Sequence, residues 1–125
     1  MQGVLYLFIG GGIGTVGRYL LGLGAAKLMA GSYPIGTLLV NLLGSLVIGF
    51  LWNYFNSGDS SNQLKLLVMV GVLGGFTTFS SYAIECLNLY NSGNVGLAIT
   101  HVLANNIGGI LLALAGISLG QTVFR

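Results

Sequence analysis

Charge is the property that this 125-residue sequence has least of, since charged residues make up 5% of the chain against about 25% in a globular domain. The charged residues are Arg18, Lys27, Lys65, Arg125, Asp59 and Glu85. So few cations exclude a basic surface for nucleic acid. The single cysteine, Cys86, excludes an intrachain disulfide and a cysteine-rich zinc site. With one histidine and two acids, the sequence offers no nucleophile–base pair or metal cluster, and we do not expect an enzyme.

Apolar residues and glycine make up most of the rest of the chain. Hydrophobic residues make up 54% of the chain, glycine occurs 22 times, and the mean hydropathy is +0.91. A water-soluble domain of this size would have too few charges to cover its surface. The sequence therefore predicts an all-α membrane protein with a single integral-membrane domain over residues 1–125.

Four segments are long enough to cross a bilayer, which takes about 20 apolar residues. They cover about 4–28, 35–55, 64–90 and 95–124, separated by a turn before Pro34 and by the polar stretches 56–63 and 91–94. Asp59 lies in the longer stretch and is interpreted as ordinary solvation. An even number of spans puts both termini on the same side of the membrane.

The cations do not favour one orientation of these spans. Lys65 and Arg125 lie on one side, and Lys27 lies on the other, joined by Arg18 if that side chain extends outward. Orientation follows the lysine and arginine bias of short loops. The absence of a bias has two interpretations: the chain inserts both ways and pairs antiparallel with itself, or the count is too small to matter.

Small residues four apart occur in every span, the spacing that lets membrane helices pack closely. These pairs are Gly10 and Gly14, Ser45 and Gly49, Gly71 and Gly75, and Gly116 and Gly120. For most of them we expect a structural role.

Polar residues are costly in lipid, so each one within a span predicts a contact with protein or water. Arg18 is either an anchor at the membrane surface or a fixed charge that attracts anions, and Asn41 either links helices or donates its amide along a path. Glu85 is expected to pair with Arg18 or Lys27, or to titrate. One stripe at four-residue spacing either joins two helices or solvates an anion; it comprises His101, Asn105, Gly109 and Ala113.

The most informative segment is Gly74-Gly75-Phe76-Thr77-Thr78-Phe79-Ser80-Ser81-Tyr82, in the middle of the third span. Paired glycines followed by hydroxyl residues form helix poorly. The segment therefore predicts either a broken helix, which membranes tolerate where backbone lines a cavity, or a kinked one.

This segment, followed by Glu85, resembles the central signature of the Fluc (CrcB) family of fluoride channels. The residues Gly10-Gly11-Gly12-Ile13-Gly14 with Arg18, and Gly36-Thr37-Leu38-Leu39-Val40-Asn41, resemble the family in the first and second spans. The resemblance implies an antiparallel dual-topology dimer in the bacterial inner membrane, with two fluoride pores that export toxic cytoplasmic fluoride. It also implies a structural Na⁺ at the dimer interface, held by the backbone carbonyls of Gly74 and Thr77.

The resemblance further implies a fluoride pathway. Its residues are Arg18, Asn41, Phe79, Ser80, Ser81 and Tyr82. Tyr82 departs from the family, which has phenylalanine there. His101 and Asn105 occupy positions that resemble a hydroxyl track, and their roles, like that of Glu85, stay open. These departures leave two partners possible, a second copy of the chain or a paralogous subunit.

Two other functions fit a small four-span protein. A dual-topology, proton-coupled multidrug exporter has a similar size, but it needs an acid in its first span, where this chain has Arg18. A non-transporting subunit of a membrane assembly would carry no ions alone.

Overall fold

The computed structural model describes residues 1–29, 31–58 and 60–124, and its regular structure there is helical throughout. Four helices are long and apolar enough to cross a membrane: α1 (Gln2–Leu28), α2 (Ile35–Asn56), α3 (Asn62–Asn91) and α4 (Val95–Val123). Their ends lie within two residues of the expected span ends. Three residues used in the sequence analysis lie outside the described ranges. They are Asp59, interpreted as solvated, Arg125, used in the orientation count, and Ala30, in the turn before Pro34.

The connection between α3 and α4 is a tight turn at Gly93. Its backbone has a φ of +81°, in the left-handed region that glycine adopts without steric cost. The Gly93 N–H donates to the Tyr90 carbonyl, and the Asn94 N–H donates to the Leu89 carbonyl, at 3.0 and 2.9 Å. These bonds close the end of α3 and make α4 its antiparallel neighbour.

Glycine brings α1 into backbone contact with the first half of α3. A Cβ placed on Gly75 would lie 2.6 Å from the Gly11 carbonyl oxygen, and one on Gly10 would lie 3.0 Å from the Gly71 Cα. Gly14 faces the Val72 carbonyl oxygen in the same way. Lipid gives helices no hydrophobic reason to associate, so this close approach is what holds the pair together.

The helices α2 and α4 pack by the same means. A Cβ on Gly116 would lie 2.7 Å from the Phe50 amide nitrogen, and one on Gly49 would lie 2.9 Å from the Ala113 carbonyl carbon. Asn53 adds a polar contact, because its Nδ2 donates to the Ile117 carbonyl at 2.9 Å. The predicted structural role of the small-residue pairs is confirmed on both sides of the molecule.

The third helix is interrupted within its length. After a π-helical segment, Leu66–Val72, and an α-helical turn, Leu73–Phe76, the chain becomes extended at two residues. Thr77 has φ −78° and ψ 156°, and Thr78 has φ −149° and ψ 114°. Helix resumes over Phe79–Asn91. The interruption lies inside the segment that the sequence singled out.

Replacing Gly14 by alanine tests the glycine contact between α1 and α3. Gly14→Ala sets a methyl group against the Val72 carbonyl oxygen and 2.8 Å from the Phe76 amide nitrogen. Such overpacking costs about 1–3 kcal/mol, so we expect a lower unfolding temperature in detergent, followed by circular dichroism. Gly12→Ala is the control, since a Cβ there meets nothing within 4 Å. Equal unfolding temperatures for the two variants would contradict the packing argument.

Candidate ion pathway at the break in α3

Asn41 on α2 holds the extended backbone between the halves of α3. Its Oδ1 accepts the Thr78 N–H at 2.8 Å, and its Nδ2 donates to the Thr78 carbonyl at 3.1 Å. The same Nδ2 donates to Asn105 Oδ1 on α4 at 2.9 Å. One amide side chain thus satisfies both backbone groups of a buried residue, and both of its hydrogens are engaged with protein.

Thr78 also begins the second half-helix. Its Oγ1 accepts the Ser81 N–H at 3.2 Å, which is an N-cap hydrogen bond. The N–H groups of Phe79 and Ser80, in the first turn, have no acceptor within a helix. The positive end of this half-helix therefore lies at membrane depth, where it favours negative charge.

The other side of the break presents carbonyl groups. In an unbroken helix the Gly74 carbonyl would accept from the Thr78 N–H, which here donates to Asn41. The Thr77 carbonyl would accept from the Ser81 N–H, which here donates to Thr78 Oγ1. Both carbonyl oxygens are thus deprived of their usual donors. Oxygen atoms of this type are suitable ligands for a hard cation.

Two cavities meet at Thr78. The first, about 370 Å³, is lined by residues from α2, α3 and α4 that include Asn41, Gly74, Thr77, Thr78, Phe79, Tyr82, Asn105 and Asn106. The second, about 360 Å³, is lined by residues that include Arg18, Thr37, Thr78, Ser81 and Glu85. The structure thus divides the sequence-predicted pathway residues between two chambers.

The predicted residues of α3 differ in exposure. Phe79, which lines the first cavity, is 77% exposed, and Ser80, also exposed, lines neither cavity. Tyr82 is buried, with its ring centroid 5.3 Å from that of Phe79. The Asn106 Nδ2 donates to the Tyr82 hydroxyl at 2.8 Å, which gives this tyrosine a polar partner.

Glu85 joins a hydrogen-bonded cluster with His101, contrary to the expected pairing with Arg18 or Lys27. Its Oε2 lies 3.2 Å from His101 Nε2, and its Oε1 accepts the Thr37 hydroxyl at 2.6 Å. Among the described residues, His101 is the basic side chain within salt-bridge distance of Glu85, and the two form an ion pair only when the imidazole is protonated. Arg18 shares a cavity with Glu85 but is not paired with it.

Tyr33, in the connection between α1 and α2, completes this cluster. Its hydroxyl lies 3.1 Å from His101 Nδ1, and the two rings meet edge to face at 5.3 Å. Burial raises the pKa of the Tyr33 phenol above its usual value, and the neighbouring Cys86 and Glu85 add to this. The phenol therefore stays protonated at physiological pH.

The stripe on α4 divides into two parts. Gly109 and Ala113 pack on α2, against Ser45 and Gly49, whereas His101 binds Glu85 and Asn105 binds Asn41. Sequence reasoning did not assign Thr37 to the site, although it lies four residues before Asn41 and hence on the same helix face. No sequence signal marks Tyr33, because its contact comes from a connection.

Removing the Asn41 amide tests its hold on the break. Asn41→Leu leaves the N–H and carbonyl of Thr78 without partners, at about 1–3 kcal/mol for each buried group. We expect a clear loss of thermal stability in detergent. Asn88→Leu is the control, because Asn88 is exposed on the second half of α3. Equal thermal stability of the two variants would show that water or another side chain replaces Asn41.

Comparison with known proteins identifies the family of this chain. A family profile described as "CrcB-like protein, Camphor Resistance (CrcB)" matches residues 5–117. The "Fluoride-specific ion channel FluC" of Dehalococcoides mccartyi is 42% identical over 122 residues, covering 97% of this chain and 94% of the relative. The protein of the same name from Agrobacterium fabrum is 38% identical over 125 residues, covering 99% and 100%. The chain therefore belongs to the CrcB family.

Proposed function

We propose that this protein is a fluoride-selective, passive channel of the bacterial plasma membrane that lets cytoplasmic fluoride leave the cell. The observation that carries the proposal is the half-helix that begins at Phe79, with its free amide end and aromatic side chains at membrane depth. The similarity to fluoride-specific channels over nearly the whole chain supports it.

The functional unit is an antiparallel dual-topology dimer in which each chain forms one integral-membrane domain. Phe79 and Gly74, beside the break, are exposed in the single chain. A second copy covers this polar backbone, which lipid would not tolerate. The nearly equal lysine and arginine counts on the two sides support insertion in both orientations. Purification of the chain alone distinguishes a self-dimer from a pair with a paralogous subunit.

As fluoride passes along the two chambers, protein groups replace its hydration shell in steps. Arg18 raises the local anion concentration at one chamber. The hydroxyls of Ser80 and Ser81 and the first-turn amides then donate hydrogen bonds, and the electropositive ring edges of Phe79 and Tyr82 face the ion. Asn41 contributes mainly by supporting this half-helix, because both of its amide hydrogens are engaged.

A structural Na⁺ fits the opposite side of the break. The carbonyl oxygens of Gly74 and Thr77 lack their helical donors, and an antiparallel dimer would supply each oxygen twice. A Na⁺ held there would supply positive charge that compensates these carbonyl dipoles at membrane depth. The exporter alternative has no comparable support, because α1 carries no acid.

Fluoride efflux from liposomes tests the channel directly. We expect purified protein to release trapped fluoride, measured with an ion-selective electrode, and to release chloride far more slowly. The smaller fluoride ion accepts stronger hydrogen bonds from the donors around the break, and this difference gives the selectivity. Phe79→Ile should lower the fluoride rate at least tenfold, because the electropositive ring edge is lost.

Phe8→Ile serves as the matched control, since Phe8 on α1 is 80% exposed, close to the 77% of Phe79. Its fluoride rate should equal that of the unchanged protein. Comparable fluoride and chloride rates, or proton movement driven by a cationic drug, would contradict the proposed fluoride channel and indicate another kind of transporter. A dimer without any flux would favour the non-transporting subunit.

Removal of Na⁺ tests the cation site. We expect replacement of Na⁺ by N-methyl-D-glucamine to weaken the dimer, because the carbonyls of Gly74 and Thr77 lose their shared ligand. Chemical crosslinking after gel filtration measures the dimer fraction, and return of Na⁺ should restore it. Dimers and fluoride rates that are the same without Na⁺ would argue against the site.

A further inference from the structure

We infer that Glu85 and His101 form a buried proton-binding site, and that its protonation increases anion flux through the neighbouring chambers. The inference rests on the proposed channel function and adds a ligand, the proton, to it. It starts from the position of the pair: Glu85 lines the chamber that contains Arg18, and His101 contacts Asn105, which lines the other chamber.

The pair is built around an enclosed imidazole. His101 has 0% exposed surface, and its Nε2 lies 3.2 Å from a Glu85 oxygen. The Glu85 side chain is 25% exposed, so protons can reach the pair from the chamber. The second Glu85 oxygen accepts the Thr37 hydroxyl, which keeps the carboxylate in place.

The neighbours of His101 define its neutral form. Asn105 Nδ2 lies 3.3 Å from His101 Nδ1, and an amide nitrogen can only donate. The Nδ1 atom must therefore accept, which puts the ring hydrogen on Nε2, where it donates to Glu85. In this tautomer both ring nitrogens have suitable partners. Glu85 keeps its full negative charge beside the path.

Adding a proton at Nδ1 changes both charge and hydrogen bonding. The pair becomes neutral overall, which removes a negative charge that repels anions. The new N–H can donate to the Tyr33 hydroxyl, 3.1 Å away, but it opposes the Asn105 N–H. Asn105 must then shift, and its Oδ1 is the acceptor for Asn41, which holds the break. Protonation is thereby coupled to the backbone that begins the conducting half-helix.

The groups that face the pair come from α1, α2, α3 and the connection between α1 and α2. Tyr33 from the connection and Tyr82 from α3, whose ring centroid is 5.6 Å from that of His101, contribute phenols. Arg18 on α1 contributes a guanidinium across the chamber, and Cys86 contributes a thiol next to Glu85. Thr37 on α2 contributes a hydroxyl. Among these kinds of side chain and imidazole, imidazole is the one whose ordinary pKa lies between pH 5 and 8.

Flux measured as a function of pH tests the inference. Fluoride efflux is followed from pH 8 to 5.5, at one fluoride concentration and with equal pH on both sides, and the leak of protein-free liposomes is subtracted. We expect the rate to rise about fivefold toward pH 5.5, the size expected when one nearby charge is cancelled at high dielectric. A rate independent of pH overturns the inference.

Three variants identify the groups responsible. His101→Gln keeps a donor for Glu85 but cannot titrate, and Glu85→Gln removes the charge. We expect a pH-independent rate in His101→Gln, and in Glu85→Gln a rate at pH 8 close to the wild-type rate at pH 5.5. Cys86→Ser, next to the pair, should keep the wild-type profile. A pH dependence that survives in His101→Gln, or is lost in Cys86→Ser, overturns the assignment.

A spectroscopic measurement separates this inference from the channel proposal. The chain has one histidine, so ¹⁵N-labelled imidazole gives the signal of His101 alone. We expect the Nε2–H tautomer at pH 8 and the protonated ring at pH 5.5. A ring that does not titrate, or an Nδ1–H tautomer, overturns the proton site. Absence of fluoride flux at every pH overturns the proposed function, whereas constant flux overturns the inference alone.

Discussion

The backbone of Thr78 imposes the constraint on which the rest of this structure depends. A peptide group inside a membrane has no water to bind, so it needs a protein partner wherever helix stops. Asn41 provides both partners at once, and Thr78 in turn caps the helix that follows. This arrangement allows a break to exist, and the break exposes an amide end for anions beside carbonyl groups for a cation.

The glycine contacts supply the rigidity that such a break requires. The first half of α3 is held against α1 through Gly10, Gly14 and Gly75, and α2 is held against α4 through Gly49 and Gly116. The second half of α3 is held mainly by side-chain hydrogen bonds to α2 and α4. Backbone contacts at glycines thus fix the position of the first half of α3, and side-chain hydrogen bonds fix the position of the second half.

Much of this could be predicted from local sequence. The four spans follow from hydropathy, the helix contacts from small residues four apart, and the place where α3 is irregular from glycines and hydroxyl residues near Thr77, although the sequence left a break and a kink both open. Partner choice could not be predicted, because it depends on the fold: Glu85 binds His101, and Tyr33 reaches it from a connection. Nor does the sequence show that the hydrogens of Asn41 are engaged, or that π-helical segments occur in α3 and α4.

The π-helical segment Ala104–Gly108 has a consequence for how this chain can vary. A wider turn holds one residue more than an α-helical turn, and each residue rotates a helix by about 100°. The extra residue is absorbed within this turn, so the helix on either side keeps the facing it would have without that residue. Loss of a single residue within Ala104–Gly108 would therefore restore a regular α-helix and leave the imidazole facing its carboxylate, whereas loss of a residue elsewhere between His101 and Ala113 would rotate the ring by about 100° relative to the part of α4 that packs on α2. The wide turn is thus the place where α4 accepts a change of length without separating this pair.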